Sequence, residues 1–462
     1  MVEIAPGTGY TYDPNSKPPP FGHPLKKYWA FDKDYINLNH GSYGSQPLPV
    51  FTESSKLLLQ AEQNPDKFHR RGYMPLLVES RQLIADLVGA DLDEIVFVPN
   101  ATHGLNTVLR SIEWREGDIL IGTSTTYGAI TKTLQFLADR SEPPRPSVYS
   151  VTYTFPMSHQ QIVDAFRARI RELKQLHSQS QFTNVPGTPE DKSNRFVAVI
   201  DSIASNPGVL LPWQELVKVC EEENVWSVID AAHSIGQELS INLTEAKPDF
   251  WISNCHKWLF AKRSCAILYV PERNQHIIKS SMPTSHMYGQ KTTFSPSGRP
   301  IPTFVAQHEW TGTQDQVPFL SVKAAIAFRN WLGGEEKINA YCHDLAVKGG
   351  LRLAEALNTK IIDESGELTL NMTNVLLPLP VDLPGNTPVY TEENLAAMNI
   401  MLRDKLLDDW NVYAAHYYHA GAWWVRASAQ VWNEISDFEE LGKALIHVCK
   451  EVSEHFFPGW ER

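Results

Sequence analysis

From residue 93 onward, short apolar runs each give way to a polar loop, and most of those loops lead into a helical pattern. The runs are DEIVFV, GDILIG, RFVAVI, VWSVI and FWIS, with CAILYV closing the series. Runs that are apolar along their whole length are strands buried on both faces, and strands separated by helices pair in parallel. The pattern predicts an α/β chain built on a mainly parallel sheet. After about residue 320 the character changes: a helix over roughly 335–357, a strand within LTLNMTNVLLPLP, a helix over 392–410, a strand at WWVRASA and a last helix over 438–456. That predicts a smaller α+β domain at the C-terminus. The expected organisation is an extended, Pro-rich arm over 1–36, a large domain over 37–320 and a small one over 321–462. Residues 37–75 should contribute to the substrate mouth and a subunit interface. The polar stretch SQSQFTNVPGTPEDKSN reads as a surface insertion.

Composition narrows the class. The chain of 462 residues is 42% hydrophobic and 20% charged, as a globular protein is, and its net charge of -12 argues against nucleic acid or an anionic membrane as partner. No apolar run approaches the ~20 residues needed to span a bilayer. Five scattered cysteines with no CxxC make no disulfide framework, and no targeting segment is visible, so a cytoplasmic setting is expected.

In a parallel sheet, ligands bind beyond the carboxyl ends of the strands. The polar residues just after the apolar runs therefore form one candidate constellation: Asn100, Ala101 and Thr102; Tyr127; Asp201 and Ser205; Asp230 and His233; Asn254, His256 and Lys257. Lys257 stands among Trp251, Cys255, Trp258, Leu259 and Phe260. Desolvation lowers a lysine pKa and frees the amine as a nucleophile; the alternative is a snorkelling side chain whose stem covers apolar surface. An acid at the end of the preceding strand, Asp230, is what the ring nitrogen of pyridoxal phosphate requires.

DAAHSIGQ, NCHKW and RASAQVWN, with LNHGSYGSQP and NATHGLN upstream, resemble the class V aminotransferase superfamily of fold-type I pyridoxal-phosphate enzymes, in its isopenicillin-N-epimerase-like branch. The resemblance implies that Lys257 bonds the cofactor and that Asp230 pairs with its ring nitrogen. His233 would face the phenolic oxygen, and Tyr127 would stack on the ring. Ala101, Thr102, Asn254 and His256 would hold the phosphate, although Asn254 stands where a serine is commoner. Thr313 in TGTQD would reach the phosphate of a second subunit, making a homodimer the working unit. Arg426 would grip the substrate α-carboxylate, with Asn39 and His40 at the substrate mouth.

The resemblance leaves the reaction open among lyase, epimerase and aminotransferase. Desulfuration through a protein thiol is set aside, because Cys265 and Cys342 fall in a predicted strand and helix, poor places for a persulfide carrier. The favoured expectation is β-elimination from a cysteine S-conjugate sulfoxide. For a substrate carrying a cationic betaine, Tyr43, Tyr73, Tyr417, Tyr418, Trp423 and Trp424 are candidate cage residues. A metal hydrolase using His416 and His419 with His40 or His233 is the rival of a different class. It lacks HExxH or any carboxylate-rich motif.

Overall fold

Seven strands form the central sheet: β1 (Ile95–Val98), β2 (Ile119–Thr123), β3 (Ser147–Val151), β4 (Phe196–Asp201), β5 (Trp226–Asp230), β6 (Phe250–Asn254) and β7 (Ala266–Tyr269). The computed structural model describes residues 11–140, 142, 144–184, 193–279, 281–284, 293–294, 300–382 and 389–459. The first ten residues of the expected arm and 185–192 of the expected insertion lie outside the described residues. Spatial order is β1-β7-β6-β5-β4-β2-β3, parallel except for β7, which runs antiparallel to both neighbours. Every strand is buried throughout except β3 at the sheet edge. This is why the apolar runs are unbroken where helices cover both faces, while the edge strand SVYSV carries two serines and is mostly half-buried. Each fully buried Val, Leu or Ile contributes about 1.5–3 kcal/mol.

The C-terminal part folds around β8 (Met372–Leu376), β9 (Ala415–His419) and β10 (Ala422–Ser428), an antiparallel sheet in the order β8-β10-β9. The AHYYH strand beside β10 was absent from the sequence expectation. It directs His416 Nε2 to the Asn399 carbonyl and His419 Nε2 to the Phe155 N–H, two separate partners. Among the described residues no group of His, Cys, Asp and Glu is placed to share a metal ion, and no helix is long and apolar enough to cross a membrane.

The described part of the N-terminal arm packs on its own chain. Tyr12 and Tyr28 lie against Phe328 and Trp331 of α1 (Val322–Leu332), and Ile36–Asn37 pairs in parallel with Val412–Tyr413.

One buried side chain fastens the two loops that carry the candidate chemistry. Arg329, on α1, donates Nη1–H to the Trp258 carbonyl at 2.7 Å and Nη2–H to the Gly236 carbonyl at 2.9 Å. Its charge is met by Glu335 through two contacts of 2.5 Å, and the guanidinium lies over the Phe260 ring. The loops approach so closely that a Cβ at Gly236 (φ 85°) would sit 2.5 Å from the Trp258 carbonyl carbon. Replacing Arg329 with Met strands Glu335 and two carbonyls. It is expected to lower unfolding stability by ~3–5 kcal/mol, read as a fall in the urea midpoint at constant m. A loss below about 1 kcal/mol would show that the clamp adds nothing beyond packing.

Candidate active site

Strands β4, β5 and β6 end side by side, and the pairing of Asp201 with Asp230 brings two carboxyl groups to one rim. Beyond these ends lies a cavity of about 180 Å³. Asp201, Ser205, Asp230, His233, Asn254, His256 and Lys257 all line it, together with Ala101, Thr102 and Tyr127. Loops separated by more than a hundred residues thus converge as the strand-end rule requires.

At the floor, Lys257 Nζ is 3.0 Å from His233 Nε2, and the Trp258 indole N–H donates to His233 Nδ1 at 3.2 Å. Burial, and next the Arg426 charge, push the Lys257 pKa down to about 7, while Asp230 pulls it upward. A large fraction of the amine is therefore unprotonated at neutral pH. His233 is driven well below the usual histidine range, chiefly by burial and then by Lys257.

Asp230 accepts the Ala232 N–H at 3.1 Å, and burial lifts its pKa to about 6 against that bond and the pull of Lys257. Burial and then Asp230 raise Asp201 well above the carboxylate range, with the Thr125 and Thr123 hydroxyls drawing it back. Two carboxyl groups on one rim do not both ionise. Asp201 keeps the proton and Asp230 carries the charge at neutral pH.

One wall is the start of α2, the helix over Ala101–Ser111 that follows β1 in sequence. Asn100 caps it by accepting the His103 N–H at 2.8 Å, and Asn254 Oδ1 takes the Ala101 N–H at 2.9 Å. Those two bonds leave the first-turn N–H of Thr102 for an anion. Asn254 thus holds the helix end from the neighbouring strand loop. His256 Nδ1 bonds the Cys265 carbonyl at 2.8 Å, and burial pushes its pKa down to about 4. With Nδ1–H given to that carbonyl, the neutral ring keeps Nε2 as an acceptor.

Arg426 on β10 is 1% exposed. Nη1 donates to the Ser205 carbonyl at 2.7 Å and to Ser205 Oγ at 3.2 Å; Nη2 donates to Ser42 Oγ at 2.8 Å and Asn39 Oδ1 at 3.2 Å. Its Nε–H has no partner, and burial lowers its pKa to about 10. Among the described residues no carboxylate pairs with it. The cation is thus held by two hydroxyls, a carbonyl and an amide oxygen; it does not itself line the cavity, but its partners Ser42 and Ser205 do.

Three expectations need correction. His40 is not at the mouth: it is buried behind Lys257, its Nε2 bonds the Lys257 carbonyl at 2.9 Å, and its ring packs against Trp258, Phe260 and Trp432. Asn39 is also buried and serves Arg426 and Ser42 rather than the cavity. Of the cage candidates only Tyr43 lines the cavity; Tyr73 and Tyr417 are buried on hydrogen bonds, Tyr418 bonds Asp382, Trp423 packs in the C-terminal core and Trp424 in the core of the large sheet. Thr313 is exposed and is not among the residues lining the cavity of its own chain. Ser42, Ile203 and Ala232 line the cavity without having been singled out. Ser42 lies inside the quoted LNHGSYG motif, so the motif was the signal and the individual serine was passed over. All five cysteines are buried and free.

This donor set fits pyridoxal phosphate. It offers a buried amine with its pKa lowered to about 7, a buried carboxyl pair, a helix N-terminus and an aromatic ring, Tyr127, that is half exposed on the cavity wall. Comparison with known proteins agrees. The family profile described as aminotransferase class-V matches residues 44–200 and 191–379. The chain is 33% identical over 95% of its length to the L-cysteine desulfhydrase-like protein lolT1 of Epichloe uncinata, covering 98% of that protein. It is 32% identical over 93% of its length to hercynylcysteine sulfoxide lyase of Schizosaccharomyces pombe, covering 98% of that protein. The fold matches a cysteine desulfurase from Thermococcus onnurineus NA1 with a TM-score of 0.68 at 18% identity, over 94% of this chain and all of the other. The cofactor of the site is pyridoxal phosphate. With the motifs, the fold and the site in agreement, the chain belongs to the class-V aminotransferase family.

Proposed function

We propose that the protein is a pyridoxal-phosphate-dependent carbon–sulfur lyase acting by β-elimination on a cysteine S-conjugate sulfoxide, the chemistry named for its Schizosaccharomyces pombe relative. The observation that carries the reading is the cavity itself: a lysine of lowered pKa and a buried carboxylate line it, Ser42 and Ser205 on its wall are the partners of Arg426 behind them, and no cysteine is among the lining residues. Without a thiol to receive sulfur, the sulfur departs on the leaving group.

Bound pyridoxal phosphate supplies an electron sink that acidifies the Cα–H of an amino acid joined to it. Asp230 holds its negative charge against the ring nitrogen. Arg426 exchanges the Ser42 and Ser205 hydroxyls for the substrate carboxylate and so orients Cα. Lys257, unprotonated, takes the Cα proton. Tyr127 donates its phenolic proton to the oxygen of the departing sulfoxide. The C–S bond breaks with its electron pair going to sulfur, so the products are a sulfenic acid and an enamine that water converts to pyruvate and ammonia. In this reading a second copy completes the site by bringing Thr313 to the phosphate.

The test is pyruvate release from the yellow purified protein offered an S-alkyl cysteine sulfoxide, with L-cysteine and L-alanine as comparisons. Turnover of the sulfoxide at least about tenfold faster than of cysteine is expected. Exchange of the Cα proton with solvent deuterium, without pyruvate, would overturn the lyase reading and leave an epimerase or aminotransferase.

A further inference from the structure

Lys257, His233 and Trp258 form one hydrogen-bonded chain with the imidazole at its centre. Trp258 is 1% exposed, and its indole nitrogen is a donor only. It points at His233 Nδ1 from 3.2 Å, so that nitrogen must be an acceptor. A buried, neutral imidazole has one N–H, and here it is therefore on Nε2. Nε2 faces Lys257 Nζ at 3.0 Å, so the amine must accept, which an ammonium cannot do. The direction of every hydrogen bond in the chain follows from the one group that has no choice.

We infer that Trp258 is a positioning residue: its indole N–H fixes the His233 tautomer, and the Nε2–H so created favours the unprotonated amine of Lys257 over the ammonium. Trp258 touches no reacting atom and acts through His233. Geometry keeps this arrangement in place, because Arg329 binds the Trp258 and Gly236 carbonyls and Gln237 binds the His233 carbonyl. Other charges also bear on the pair. Asp230 and Arg426 act on Lys257, while Arg426, His256 and His40 act on His233. Of these only His40 touches the indole, edge-on at 5.4 Å, and the bicyclic benzothienyl replacement keeps that packing. Without the indole donor, His233 can place its proton on Nδ1 and offer the Nε2 lone pair to Lys257, which then favours the ammonium.

The inference rests on the cofactor reading above, and its test is chosen to fail separately. The full-length chain, stripped of cofactor with hydroxylamine, is mixed with pyridoxal phosphate, and the rate at which it turns yellow is followed against pH. Two forms are compared with the parent: Trp258→Phe, and Trp258 replaced by 3-benzothienylalanine, which keeps the bicyclic shape and exchanges N–H for sulfur. In the parent the rate should rise with pH through about 7, where Lys257 loses its proton. In both altered forms the midpoint should move up by about one pH unit, making capture about tenfold slower on the acid side. Lost packing alone would change amplitude or stability and leave the midpoint in place. An unchanged midpoint in the benzothienyl form overturns the inference while leaving the lyase reading intact. Nitrogen-15 spectra of the histidine rings decide the matter independently of cofactor. His233 protonated at Nε2 in the parent, and shifting toward Nδ1 in the altered forms, is the expected result. Protonation at Nδ1 in the parent sinks the inference even if no cofactor binds.

Discussion

Replacing Lys257 with alanine is expected to abolish pyruvate release, with a fall of ~10⁴-fold or more, and to remove the yellow colour of the purified protein. Both losses share one physical origin. The amine lines the cavity with its pKa lowered to about 7 by burial and by the Arg426 charge. No neighbour replaces it. His233, the nearest titratable ring, is held well below the usual histidine range and binds Trp258 through its other nitrogen. The fold should survive the change. Burial holds Lys257 below its ordinary pKa of 10.5, so the folded chain binds fewer protons there than the unfolded one, and below pH 10.5 the residue costs stability. That cost grows as pH falls to about 7 and is complete below it. The alanine form should therefore resist urea at least as well as the parent near pH 7. Pyruvate release within tenfold of the parent would sink the mechanism. A much lower urea midpoint would instead assign Lys257 a structural role.

The second large effect is at Arg426. Changing it to lysine keeps the charge and loses the planar fork, so an ammonium cannot serve Ser205, Ser42 and Asn39 together with a carboxylate. The expected loss in kcat/KM is ~10²–10³-fold, about 3–4 kcal/mol, mostly as a raised KM. The visible spectrum of the bound cofactor should be unchanged, because Arg426 meets the substrate carboxylate rather than the cofactor. Because the side chain is 1% exposed and joins β10 to the large sheet through Ser205, the melting temperature should be measured beside the kinetics. A variant with an unaltered KM would show that the carboxylate is held elsewhere.

How the site could be read in the sequence depended on the kind of residue. Lys257 and Asp230 were visible because each is a charged group at the end of an apolar run, where water should be scarce. Asn100 was visible as a polar residue just after an apolar run, and the structure makes it the cap of the helix that follows. His40 misled, because a histidine in a Gly-rich loop looks exposed. In the fold the helical turn His40–Tyr43 presses that loop onto the lysine backbone, and a Cβ at Gly44 (φ 66°) would come within 1.8 Å of the His256 carbonyl oxygen. The glycine in GSYG is there for a contact more than two hundred residues away. Arg329 was not legible at all, since a helical arginine has the same sequence signature whether it faces water or clamps two loops.

The sequence by itself determined the periodic elements and the chemical identity of the reactive groups. Strand and helix patterns are local consequences of burial on one or two faces, and a lysine among tryptophans carries its desolvation with it. Only the tertiary structure decided which way each hydrogen bond runs and which side chains are left without a partner. Trp258 becomes informative once His233 lies 3.2 Å from it, and Arg426 becomes a candidate for the substrate carboxylate once its buried Nε–H is found without a partner. Hydrogen-bond direction and charge pairing depend on distances of about 3 Å between groups far apart in the chain, and such distances are set by packing rather than by sequence spacing.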